Sequence, residues 1–163
     1  MFRNLSAVSV ITINAPKEAV LAVVWDIKNI EKFEVKADHV NVQPIDKRKG
    51  TYKVRGHFAG LPWRREFAYF LSDDGFYSRD AHPGPEITVQ GGFIVQPTGE
   101  GECTLIHYEM YRLSPWFVPL KPFINAYLKW SIRKELGEMK AAVLRMHGRV
   151  KTSCWLLAEI GDR

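Results

Sequence analysis

Catalysis and specific binding need polar groups that converge, and the candidates in this sequence are few. The histidines His39, His57, His82, His107 and His147 are scattered, and no two have the four-residue helical spacing that holds a metal. Ser72, Ser114 and Cys103 have no histidine placed to make a nucleophile–base pair. Gly91-Gly92 alone is too little for a phosphate-cradling loop, and no residue pattern calls for a cofactor. Two arginines are more informative. Arg65 alternates with Trp63, Phe67 and Tyr69, and Arg112 alternates with Tyr108 and Met110, so either could bring a guanidinium to an apolar wall to grip a carboxylate or phosphate. The competing reading leaves both in water, as for most arginines. Along the same stretch Thr104, Ile106, Tyr108, Met110 and Arg112 are expected to face inward, which leaves His107 and Glu109 outside. A register change of one residue would instead bury His107 and Glu109 as an acid–base pair.

The element that must hold everything else is the stretch 114–148, SPWFVPLKPFINAYLKWSIRKELGEMKAAVLRMHG. It opens with Pro115, Pro119 and Pro122, has no proline afterwards, and closes on Gly148, which predicts one long helix over 122–147. Ile124, Leu128, Ile132, Leu136, Met139, Val143 and Met146 follow the three-and-four spacing of a buried face. Phe123, Tyr127 and Trp130 make a second apolar stripe on the first turns.

Ahead of it, residues 5–13 read as a strand rich in β-branched side chains, ended by Asn14-Ala15-Pro16. A short helix over 16–26 and another helical piece over 27–33 follow, the latter turning Ile30 and Phe33 inward. From 35 to 113 the pattern becomes six short alternating segments punctuated by turns, at 39–44, 51–58, 63–71, 76–81, 87–96 and 102–113. Tyr52, Val54 and Phe58 share one face of their strand, as do Ile87, Val89, Gly91, Phe93 and Val95 of theirs. Gly91-Gly92 is expected to mark a bulge or sharp bend. Residues 1–148 form a single domain in this reading, and 149–163 a tail with an apolar patch at Trp155-Leu156-Leu157-Ala158.

With 163 residues, 46% hydrophobic and 25% charged, the chain has the makeup of one globular domain and not of a disordered one. Cys103 and Cys154 match no metal or redox spacing, and no segment resembles a signal peptide, so a cytoplasmic location is expected. The net charge of +5 resides in 121–149, where seven Lys or Arg face only Glu135 and Glu138. Trp116-Phe117-Val118-Pro119-Leu120 beside Lys121, Lys129, Arg133 and Lys134 pairs an apolar wedge with a basic flank, as transient contact with an anionic membrane surface requires. The alternative is that this segment caps the core. Nucleic acid is not an expected partner, because the basic residues lie along a helix whose other face must be buried.

Strand, two short helices, six hairpin-linked strands and one long helix is an order that resembles the helix-grip fold of the START-like (SRPBCC) superfamily, above all its polyketide cyclase/dehydrase and lipid-transport branch. The residues that carry it are 10–20, VITINAPKEAV, similar to that family's opening strand and first helix, and Asp26 followed by Ile30 and Phe33, where the family usually has tryptophan in place of phenylalanine. The resemblance covers 5–148 and implies an α+β fold with a seven-stranded curved antiparallel sheet wrapped around the C-terminal helix. It also implies a cavity between the two. Phe33, Tyr52, Phe67, Tyr69 and Phe93, with Ile106, Tyr108 and Met110, are then its expected walls, Leu128, Ile132 and Leu136 its roof, and Arg65 and Arg112 its polar contacts. The expected function is carriage or sensing of a hydrophobic small molecule such as a lipid, quinone or aromatic compound, without catalysis. An aromatase/cyclase acting on a polyketide-like chain is the alternative, and it needs at least two polar side chains converging in the cavity.

Overall fold

The computed structural model describes residues 3–84 and 87–160, with side chains over 4–84 and 87–147. Strand β1 (Arg3–Ile13) leads through Pro16, which stands just ahead of the first turn, into α1 (Lys17–Trp25). A single 3-10 turn (Ile27–Asn29) and α2 (Ile30–Phe33) follow. The chain then runs through β2 (His39–Pro44), β3 (Lys49–Phe58), β4 (Leu61–Ser72), β5 (Gly75–Asp80), β6 (Ile87–Gly99) and β7 (Glu102–Leu113). A 3-10 connector, Pro115–Leu120, ends in α3 (Lys121–Ile160). The seven strands form one antiparallel sheet in the order β1-β7-β6-β5-β4-β3-β2.

Helix α3 lies on the concave side and buries Leu128, Ile132, Leu136, Met139 and Val143 almost completely. Ile124 is half-buried and Met146 exposed, so the buried stripe is shorter at each end than its spacing implies. Gly148 does not stop the helix, whose backbone continues to Ile160. A glycine within a helix costs only about 1 kcal/mol relative to alanine, and Gly137 is already tolerated inside α3. The side chains of Trp155-Leu156-Leu157-Ala158 lie outside the described residues.

Two further expectations are corrected. The ladders of β6 with β5 and β7 run unbroken through Gly91-Gly92, and the register shift sits instead between Pro97 and Gly99. The glycine pair serves close approach: a Cβ at Gly92 would overlap the Phe76 carbonyl oxygen of β5. In β7 the inward face is Cys103, Leu105, His107, Glu109, Tyr111 and Leu113. Ile106, Tyr108, Met110 and Arg112 therefore point to the convex side and do not line the interior. There Ile106 stands between Val10 of β1 and Ile94 of β6, and Tyr108 pairs with Val8, so over 106–110 the outer face of β7 is the more apolar one, although Leu105, Tyr111 and Leu113 flank that stretch on the inner face. That is why its alternation misleads.

Candidate functional site

Sheet and helix do not close fully. Between them, toward the α3 N-terminus, is a cavity of about 350 Å³. Tyr52, Phe67, Phe76 and Phe93 line it from the sheet, and Phe117, Ile124 and Tyr127 from the connector and α3. Tyr52 stacks on Phe67 with centroids 5.2 Å apart, and Phe58 meets Tyr127 edge-on at 4.9 Å. At the opening Leu61, Leu120 and Phe123 are both wall and surface, with 71%, 50% and 75% of their area exposed. Leu61 follows a tight β3–β4 turn in which Ala59 and Gly60 both take positive φ.

Four of the expected walls and contacts lie on the cavity: Tyr52, Arg65, Phe67 and Phe93. Tyr69 is buried behind them against Tyr52 and Phe76, and Phe33 packs at the core margin. Leu128, Ile132 and Leu136 are solid core, and none of the three reaches the cavity.

The inner part of the wall is polar, and its centre is Lys36, an ammonium only 3% exposed. Its Nζ lies 2.9 Å from Glu109 Oε1 and 2.9 Å from Glu135 Oε1, and it donates to Ser131 Oγ at 3.4 Å. Glu109 Oε2 accepts the Tyr111 hydroxyl at 3.0 Å. Glu135 Oε1 also accepts the Val35 amide at 3.2 Å. His107 lies flat on Phe93, centroids 4.1 Å apart, with Nε2 4.0 Å from Glu109 Oε1 and Nδ1 3.4 Å from Glu135 Oε2. Those last two atoms, His107 Nδ1 and Glu135 Oε2, have no hydrogen-bond partner among the described residues. Glu34, at the end of α2, completes the group and faces the cavity.

Local chain geometry explains how a lysine reaches this depth. The segment after α2 crosses directly over β3 at Gly56, where any Cβ would overlap the Lys36 carbonyl oxygen. Trp63 Nε1 donates to that same carbonyl at 2.7 Å. On α3, Ser131 and Glu135 are four apart, one helical column beside the Leu128–Ile132–Leu136 stripe.

Burial is the largest single influence on each member, but it does not always prevail. It pushes Glu34 up to about 8 and Glu135 up to about 7, in each case against the pull of Lys36. It also holds His107 down at about 4, so the imidazole is neutral. For Glu109, Lys36 and the Tyr111 hydroxyl outweigh desolvation and the carboxyl is lowered. Lys36 is desolvated too, but Glu109 and Glu135 more than offset this and keep it protonated. Glu34, His107 and Glu109 bring ligand atoms within 4.8 Å of one another, close enough for a metal, yet Lys36 already supplies a cation to Glu109. Arg65 stands on the cavity wall with its Nη1 3.8 Å from Asp80 Oδ1.

A family model described as polyketide cyclase / dehydrase and lipid transport matches residues 5–144. The chain belongs to that family. No curated protein matches. Among solved structures, this family member is similar to TTHA0849 from Thermus thermophilus, at 15% identity and TM-score 0.75 over 87% of this chain and 99% of that one. It is similar also to a START superfamily protein from Mycobacterium smegmatis, at 12% identity and TM-score 0.72 over 86% and 98% of the two chains. The Zhui aromatase/cyclase from Streptomyces sp. R1128 matches at 12% identity and TM-score 0.68 over 91% of this chain and 95% of that one. At these identities the likeness is one of fold.

Lys36, Glu34 and Glu135 carried no signal that sequence reasoning used. The charge of Glu135 reads as surface charge in a basic helix, and Lys36 sits in an irregular segment. The available clue was the helical pair Ser131 and Glu135 beside the apolar stripe. For His107 and Glu109 the clue was strict alternation with Tyr111 and Leu113.

Proposed function

We propose that this family member binds a hydrophobic small molecule, with one polar end, in the space between its sheet and α3. One observation carries the reading: an aromatic-walled cavity of about 350 Å³ whose wall includes Glu34, Lys36, His107 and Glu109. Apolar walls supply affinity through area removed from water, and a few fixed polar groups supply orientation. The experiment is fluorescence titration with N-phenyl-1-naphthylamine, a neutral apolar probe. Wild type is expected to enhance its emission saturably, and Val89→Trp, which fills the cavity from the wall, to abolish the enhancement while far-UV circular dichroism stays native. An unchanged titration in Val89→Trp would place the probe elsewhere and end this reading.

A second reading, conversion of a polyketide-like substrate, is supported by a specific observation: His107, Glu109 and Arg65 all reach the same cavity. These are the convergent polar groups an aromatase/cyclase mechanism requires. Recovery of a bound compound unaltered after turnover-length incubation would favour carriage. Contact with an anionic membrane surface is part of the proposal, supported by the apolar residues exposed at the cavity's opening.

A further inference from the structure

The polar wall holds more acid than base. Glu34, Glu109 and Glu135 face one ammonium, Lys36, which is shared at 2.9 Å between Glu109 and Glu135. The other cation on the cavity, Arg65, has the buried Asp80 at 3.8 Å, so it too has a counter-charge. His107 is held neutral and Tyr52 and Tyr111 are held protonated by burial, so none of them supplies a positive charge. Ser78 on β5 and Ser131 on α3 contribute only hydroxyls. If every carboxyl were ionised, the patch would carry two uncompensated negative charges, with Glu109 and Glu135 buried and Glu34 partly buried at the cavity wall. Protons offset that surplus, on Glu34 and Glu135.

A cation delivered by a ligand can replace such a proton. Among the described residues, Glu34 and Glu109 are the two carboxyls on the cavity surface. We infer that the ligand of this cavity is an amine: an apolar, ring-bearing body with a protonated nitrogen seated between Glu34 and Glu109, whose binding releases a proton. An anionic head is disfavoured, because both resident cations already have carboxylate partners and the patch has no donor charge to spare. A neutral hydroxyl fits sterically but leaves the acid surplus neutralised only by protons. This inference rests on the cavity being the ligand site, and its linkage has a definite sign. An ammonium beside Glu34 favours the carboxylate, so the proton leaves, and amine affinity rises as pH rises toward 8.

The test is competition against N-phenyl-1-naphthylamine at pH 7.5 by 4-phenylbutylamine, 4-phenylbutan-1-ol and 4-phenylbutanoate, three probes alike except at the head. The amine is expected to bind about tenfold tighter than the alcohol, and the carboxylate weakest. Calorimetry in phosphate and Tris, whose ionisation heats differ, is expected to report net proton release for the amine only. In Glu34→Gln the ratio of amine to alcohol affinity is expected to fall toward one. An alcohol or carboxylate that competes as well as the amine overturns this inference and leaves the cavity as a binding site. Failure of all three to displace a probe that does bind overturns it as well. Failure of the probe itself to bind overturns the cavity reading beneath both.

Discussion

At the scale of single residues, the molecule places a lysine and two glutamates where hydrocarbon would ordinarily go, with a third, Glu34, half-buried on the cavity wall. Burying such charges is tolerable only when each is paired and hydrogen-bonded, and removing one partner typically costs about 3–5 kcal/mol. The pair Lys36–Glu109 meets that condition, whereas burial pushes Glu34 and Glu135, the latter beside Lys36, toward the protonated form. This gives stability a pH dependence of fixed sign. Glu34, held up at about 8, keeps its proton in the folded chain over a range where the unfolded chain, near 4.5, has released it. Glu135, up at about 7, acts in the same direction. The unfolded state then binds fewer protons, so stability falls as pH rises through this range. His107, held down at about 4, acts oppositely but only below its ordinary 6.5. Melting temperature is therefore expected to fall from pH 6.5 to pH 8, and to fall less steeply in Glu34→Gln. A wild-type profile that is flat or rising over that window would refute the assignment.

At the scale of elements, Gly56 of β3 determines where Lys36 lies. Only a residue without a Cβ lets the segment after α2 cross the strand so closely, with Trp63 Nε1 holding the Lys36 carbonyl from the neighbouring strand. Gly56→Ala must push that backbone away, an overpacking effect of about 1–3 kcal/mol. Urea denaturation is expected to register that loss, and quenching of Trp63 fluorescence to become easier as its indole loses its acceptor. Equal stability would mean that the segment is free to move. Order and type of the elements were legible in the sequence because periodicity changes sharply from two to 3.6 along the chain. The inward residues of β3, β4 and β6 were legible from same-face apolar partners two residues away: Tyr52 with Val54, Phe67 with Tyr69, and Phe93 with Val95. Strand β7 was not, since Ile106, Tyr108 and Met110 are its water side and His107 and Glu109 its core side. Hydropathy over 106–110 ranks those two sets in the wrong order, and Leu105, Tyr111 and Leu113 on the core side, with the pairing to β1 and β6, decide between them.

At the scale of the whole molecule, charge and apolar surface meet around the cavity's opening. Leu61, Leu120 and Phe123 are exposed at the opening, Phe123 to 75%, and Trp116 of the connector is 89% exposed. Glu135, one of two acids in the basic C-terminal segment, is buried against Lys36, so the exposed face of α3 with Lys129, Arg133 and Lys134 is more cationic than composition alone implies. Among the described residues no helix is long and apolar enough to cross a membrane. A wedge with a basic flank suits the surface of an anionic bilayer. Co-sedimentation is expected with vesicles containing phosphatidylglycerol and not with pure phosphatidylcholine, to weaken in high salt, and to be lost in Trp116→Ala/Phe123→Ala. Equal binding to both vesicle types would count against it.

The inverted polarity of β7 also bears on how the chain reaches this structure. A slip of one position would turn Ile106, Tyr108 and Met110 inward and deliver His107 and Glu109 to water, but it would also expose Leu105, Tyr111 and Leu113. The native sheet excludes that competitor by gripping β7 along nearly its full length, from Cys103 to Leu113 against β1 and from Glu102 to Leu113 against β6. The strand that carries the site is thus frustrated only over 106–110, and Leu105 and Leu113, together with its neighbours on both sides, keep its alignment.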